Sequence, residues 1–270
     1  MSSSPQPEGE ILPPSMETDR RQETFTPPPS RQTRSILSAP GTYALVGINS
    51  AVFIWMVLHG VSPASPTPAE LIHFGGNVPV LVLHGQWYRL LTATFVHVGL
   101  IHLLTNMWCL WNLGLLGEPL LGPWGMVAVY MLTGIAGNLL SLGVNVVLHD
   151  FVSVGAGASG AVFGIAGILI VLLSNHKLPI PVFELQRLRK SVIQFAGLNL
   201  IIGLATIALP LIRIDNSAHV GGFLFGLALG VPLVPRMTSG RARYLQRQKI
   251  TFAGAAFFLA LFGYWIANLR

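Results

Sequence analysis

Charged side chains are scarce in this sequence. Asp, Glu, Lys and Arg make up 10% of its 270 residues, whereas a soluble domain carries roughly 25%. Such a chain cannot cover a water-exposed surface, which excludes an ordinary soluble fold. Cysteine is nearly absent too. The single Cys109 lies in an apolar run, so there is no internal disulfide, the redox compartment stays open, and metal sites built on paired thiolates are excluded. A His-Glu-x-x-His run is missing, and with it the zinc-protease ligand set. No pair of aspartates occurs within the apolar stretches, which excludes aspartyl chemistry there. Residues 1–40 lack any sustained apolar run and are rich in Pro, Ser, Thr, Glu and Arg. They hold no secretory signal and too little apolar surface to order themselves. We read them as a disordered cytoplasmic tail, with a regulatory or docking role as the alternative.

What abounds is hydrophobicity, at 52% of residues with a mean hydropathy of +0.62. A hydrocarbon core of about 30 Å needs roughly 20 apolar residues per helix. By that measure the sequence predicts an all-α polytopic membrane protein with seven spans, at about 42–60, 99–117, 124–148, 156–174, 192–211, 217–235 and 251–268. Gly114, Gly117, Gly122, Pro123 and Gly125 interrupt the run between spans two and three; Asp150 and the Gly155–Gly157 cluster do so between three and four. The expected organisation is a six-span body over 41–235, a basic cytoplasmic loop over 236–250 and a seventh span within 251–270.

The net charge of +6 admits a nucleic-acid reading until the basic residues are placed. Arg20, Arg21, Arg31 and Arg34 precede span one; Lys177, Arg187, Arg189 and Lys190 lie between spans four and five; Arg236, Arg241, Arg243, Arg247 and Lys249 lie between six and seven. With the N-terminus inside, all thirteen face the cytoplasm, leaving Arg89, Arg213 and Arg270 outside. This asymmetry is a topology signal, so the expected partner is the lipid bilayer and not nucleic acid. The loop at about 61–98 is long and partly apolar, with Trp87 and Tyr88 beside Arg89. Amphipathic rings settle at the headgroup boundary, so short helices lying in the outer interface are expected there.

Ionisable and polar groups inside spans are costly, and they usually face a protein interior or a wet cavity. Four of them share one depth: His102 and Asn106 in span two, Ser159 in span four and His219 in span six. His102 and Asn106 are four residues apart on one helix face, a spacing that serves helix packing as readily as catalysis. His97 reads as structural. Ser159 opens a helix after Gly155-Ala156-Gly157-Ala158, where the free N–H groups and the dipole of a helix start favour negative charge. Gly160, Gly164 and Gly167 follow it, and Gly222 and Gly226 follow His219, two smooth stripes that predict contact between spans four and six. A serine needs a base within hydrogen-bond reach, and His is the usual one. Asp215 is the one carboxylate near His219 in sequence; a Ser–His dyad is the economical reading and a triad through Asp215 the alternative.

These residues also resemble a known family. Gly85-Gln86-Trp87-Tyr88-Arg89-Leu90-Leu91-Thr92, His97-x4-His102-x3-Asn106, Gly157-Ala158-Ser159-Gly160 and Ala218-His219-x2-Gly222-x3-Gly226 resemble, in order, the four motifs of the rhomboid intramembrane proteases, over about residues 42–235. The resemblance implies a six-helix bundle plus a seventh helix. It also implies a cofactor-free, metal-free serine endopeptidase that cuts single-span membrane proteins near the outer end of their helix, in the bacterial cytoplasmic membrane. Ser159 would be the nucleophile and His219 the base, with His102, Asn106 and the Ser159 N–H holding the oxyanion. Trp87 and Arg89 would support the first loop, and Gly157 and Gly222 the close approaches at the site. Glu118 would hold a structural position at the inner end of span two. Phe163, often Tyr in relatives, would stack on the catalytic His. Two other readings compete: an inactive relative that binds membrane proteins, although both Ser159 and His219 remain, and a small transporter, which predicts internal repeats that the two halves of the chain do not display.

Overall fold

The computed structural model describes residues 39–175, 178, 180–205, 215–234 and 240–268, with only the backbone at 202–205. The expected N-terminal tail up to residue 38, Lys177, Arg213, Arg236 and Arg270 lie outside the described residues.

Local chemistry explains where the helices begin. Helix α1 (Pro40–Leu58) starts with Pro at its first position, where a missing N–H costs nothing. Its free amides at Gly41 and Thr42 donate to the buried Glu118 carboxylate at 2.9 and 2.7 Å, and the Thr42 hydroxyl donates to it as well. The segment expected as a long loop holds α2 (Pro68–His73), α3 (Pro79–Leu83) and α4 (Arg89–Thr92). Helix α2 begins with a Thr67–Glu70 capping box.

Spans two and three form one run, α5 (Leu100–Val147), broken into two arms at Gly122 (φ 75°, ψ 165°). Of the glycines expected to interrupt it, only Gly122 does, followed by Pro123, which has no N–H to continue the ladder. Gly114 and Gly117 stay helical because their bare faces receive Thr42 and Leu169, and close packing outweighs the propensity cost of glycine. Next comes α6 (Ser159–Leu172), whose 14 residues span about 21 Å, too short for the bilayer core. It is the central helix, buried between α5 and α8 (Asn216–Leu233).

Two expected boundaries move. Helix α7 (Val182–Ala205) begins about ten residues before the span expected from 192, because Leu185 is buried while the neighbouring Gln186 and Arg187 stay exposed. Helix α9 (Arg241–Ala267) likewise starts inside the basic loop expected at 236–250, since Tyr244 and Gln248 have buried partners on one face. The Tyr244 hydroxyl donates to the Leu120 carbonyl at 3.0 Å and Gln248 Nε2 to the Leu121 carbonyl at 2.8 Å. These two carbonyls belong to the last turn of the first arm, which has no partners of its own.

The bundle therefore has two distinct ends. At one lie the start of α1, the α5 break, the starts of α7 and α9, and with them Arg187, Arg189, Lys190, Arg241, Arg243, Arg247 and Lys249. At the other lie the first loop and the starts of α5, α6 and α8. Four described helices are long and apolar enough to cross a membrane. Among the described residues there is no strand, only an isolated bridge between Asn77 and Gly155.

Candidate active site

The site sits where three helix starts meet the first loop. Ser159 is the first residue of α6, with Ala158 as its N-cap, so its N–H has no acceptor within the helix. Just before it, Gly157 adopts φ +133°, a conformation L side chains avoid, and the His102 ring occupies the space a Cβ would need, with Cε1 2.5 Å from that point. The second-span histidine is thereby packed against the loop that leads into Ser159.

That loop is held from three sides. Gly155 exchanges both backbone hydrogen bonds with Asn77 at 2.8 Å, and the Gly157 N–H donates to the Ala93 carbonyl at 2.9 Å. The Ala158 N–H donates to Nε2 of the fully buried His97 at 3.4 Å, while His97 Nδ1 faces the Phe95 carbonyl at 3.2 Å. Together these fit a neutral His97 protonated on Nδ1. His97 supports the loop directly, and its ring centroid is 5.4 Å from that of His102.

His219 lies in the first turn of α8, which begins at an Asp215 N-cap. One Asp215 oxygen accepts the Ala218 N–H at 3.0 Å and the other accepts the Ser141 hydroxyl. The carboxylate is thus committed to the helix start and to α5. His219 Nδ1 is buried without a hydrogen-bond partner. Phe163, one turn after Ser159, stacks on the His219 ring with centroids 4.4 Å apart and planes 12° from parallel. Below this stack the backbones of α6 and α8 touch: a Cβ on Gly222 would collide with the Gly160 carbonyl, and one on Gly226 with that of Gly164. The two glycine stripes do meet.

Asn106 is buried, and its Nδ2 donates to the His102 carbonyl at 2.9 Å, which occupies one of its two N–H groups. Arg89 is buried inside the first loop; its Nε donates to Gln86 Oε1 at 2.6 Å and its Nη1 to the Ile72 and Gly76 carbonyls at 2.7 and 3.0 Å. Trp87 packs against Gly263 of α9 and Leu139 of α5. Both residues hold the loop through these contacts. Sequence reasoning missed Asn77, Asn138 and Ser141. Asn138 donates to the Leu90 carbonyl at 2.8 Å and accepts from Asn77 on its own carbonyl at 3.3 Å. Asn138 and Ser141 are polar residues three apart in a largely apolar arm, and that spacing was the available signal. Among the described residues, no group of three or more His, Cys, Asp or Glu is placed to hold a metal ion.

Residues 84–236 match the Rhomboid domain family. The chain is 34% identical over 196 residues to rhomboid protease GluP of Bacillus subtilis (strain 168), an alignment covering 71% of this chain and 35% of that protein. It is 30% identical over 212 residues to rhomboid protease AarA of Providencia stuartii, covering 72% of each. With Rhomboid-like protease 2 of Toxoplasma gondii it shares 28% over 187 residues, 68% of this chain and 62% of that one. The chain thus spans about a third of the Bacillus relative's length.

Proposed function

Because this chain belongs to the rhomboid family, we propose that it is an intramembrane serine endopeptidase working through a Ser159–His219 dyad. The observation that carries this reading is the α6–α8 contact: Phe163 stacked on His219, with Gly160 and Gly222 in backbone contact one residue after Ser159 and three after His219.

In the proposed reaction His219 Nε2 takes the Ser159 proton as Oγ attacks the scissile carbonyl. The oxyanion is held by the Ser159 N–H, by His102 and by the Asn106 N–H that is not engaged with the His102 carbonyl. His219 then returns the proton to the leaving amine, and water released into the site deacylates the serine with His219 again as base. Asp215 caps α8 and takes no part in proton transfer. The substrates are single-span membrane proteins whose helices unwind locally to expose the bond, which Gly or Pro near the cut favours. The chain would sit in the bacterial cytoplasmic membrane with its N-terminus and basic end in the cytoplasm, the side on which Lys and Arg accumulate.

A fluorophosphonate probe tests the assignment. The native chain should label, whereas Ser159→Ala and His219→Ala should not, with cleavage of a reporter membrane substrate lost in parallel. A native chain that neither labels nor cuts would leave it an inactive binding relative.

A further inference from the structure

Tyr130, in the second arm of α5, is fully buried. A Phe would fill nearly the same space, and a buried hydroxyl costs stability unless it is hydrogen-bonded. This one is bonded to two elements at once. Its O–H donates to the Thr94 carbonyl at 2.9 Å, with Asn49 Oδ1 at 3.1 Å as a second acceptor, and its oxygen accepts Nδ2 of Asn49 in α1 at 2.9 Å. Asn49 is fully buried as well, and its Nδ2 also donates to the Leu45 carbonyl at 2.8 Å. One turn after Tyr130, the bare face of Gly134 seats the Thr94 side chain, whose Cγ2 lies 2.5 Å from where a Cβ would stand. Residue 94 is thus gripped by its carbonyl and by its side chain on one face of α5.

The position of Thr94 decides what that grip does. It lies in the short segment 93–97 that joins α4 to the start of α5. The residue before it, Ala93, accepts the Gly157 N–H on its carbonyl at 2.9 Å. Three residues after it, His97 accepts the Ala158 N–H on Nε2 at 3.4 Å. Both amides that lead into Ser159 therefore end on this one segment, and the next amide along the chain is the Ser159 N–H. The Tyr130 ring also lies against Phe95, with centroids 5.6 Å apart, and the Phe95 carbonyl faces His97 Nδ1.

We propose that Tyr130, braced by Asn49, is a positioning residue for the oxyanion side of the site: its hydroxyl fixes segment 93–97 and, through Ala93 and His97, aims the Ser159 N–H. This inference rests on the protease reading of Ser159. Its test is Tyr130→Phe in the full chain, with active molecules counted by fluorophosphonate labelling carried to completion. Turnover per labelled molecule should fall about ten-fold, within the loss that a remote misplacement of about 1 Å causes. KM should stay near native, because the aimed N–H acts in the transition state. Glu118→Gln, which loosens the far end of the bundle, should keep native turnover per labelled molecule. Should Tyr130→Phe not fold, Asn49→Leu removes the brace and should lower kcat in the same direction. In the double variant kcat should match that of Tyr130→Phe alone, since Asn49 acts through the hydroxyl. Native kcat in a folded Tyr130→Phe or Asn49→Leu chain overturns the proposal. So does a loss confined to KM or to the number of labelled molecules, as a purely structural role would give. A native chain that neither labels nor cuts removes the protease reading and this inference together, whereas a native chain that cuts no faster than Tyr130→Phe removes this inference alone.

Discussion

Gly222 of α8 rests on the backbone carbonyl of Gly160 in α6, with no room for a Cβ between them. Ser159 precedes one partner of this contact and His219 lies one turn before the other. The separation of the two helices therefore sets the reach from hydroxyl to imidazole. Gly222→Ala should force the helices apart, at a cost of about 1–3 kcal/mol in stability. Cleavage should fall further than the folded fraction does. Thermal unfolding in detergent and turnover of a membrane reporter measure the two; native turnover in the alanine variant would break the link.

The two Asp215 substitutions separate a dyad from a triad. Asn is as good an N-cap as Asp, so Asp215→Asn should keep the α8 start and most of the turnover. Were Asp215 the orienting acid of a triad, the same change would cost on the order of 10⁴ in kcat. Asp215→Ala removes the Ala218 contact and should lower stability by about 1 kcal/mol.

Asn106 has one N–H occupied by the His102 carbonyl, which leaves the other for developing charge. Asn106→Ala should lower kcat by up to ~100-fold if that group is a main oxyanion donor, with KM little changed because the interaction strengthens only in the transition state. Steady-state kinetics on a reporter substrate decide it, and an unaltered kcat removes the assignment.

Phe163 supplies a ring face to His219. Phe163→Tyr keeps that face and should turn over like the native chain. Phe163→Leu fills the space but loses the stack, a loss of about 1 kcal/mol, or roughly five-fold in kcat. Equal rates in the two variants would show that the stack does not orient the imidazole.

Glu118 accepts three hydrogen bonds from Gly41 and Thr42 at the start of α1. Glu118→Gln places a donor against donors and removes the charge that suits a helix N-terminus. Unfolding should be easier by about 2 kcal/mol, while the probe reactivity of the folded fraction stays native because Glu118 lies at the far end of the bundle.

The all-helical class and the shared level of Ser159, His219, His102 and Asn106 were legible because apolar runs and isolated polar residues are local signals. The glycine stripes gave the α6–α8 contact for the same reason: small residues at intervals of three and four admit another backbone. Long-range partners left no such trace. Gly114, Gly117 and Gly122 look alike in sequence, yet only Gly122 breaks α5: Thr42 packs against Gly114 too closely for a Cβ and Leu169 touches the face of Gly117, while the space around Gly122 is open. The service of His97 to the Ala158 amide and the bond from Ser141 to Asp215 each join residues more than sixty positions apart. Helix α7 starts early because the buried Leu185 extends an amphipathic turn ahead of the apolar run, a pattern that a search for purely apolar stretches overlooks.

The two bonds from α9 to the Leu120 and Leu121 carbonyls bear on how the protein is made. Synthesis runs from the N-terminus, so α9 leaves the ribosome after every other described helix. Until Tyr244 and Gln248 arrive, the first arm of α5 ends in two acceptors without these donors, and Gly263 is not yet there to receive Trp87. Assembly at both ends of the bundle thus waits on α9.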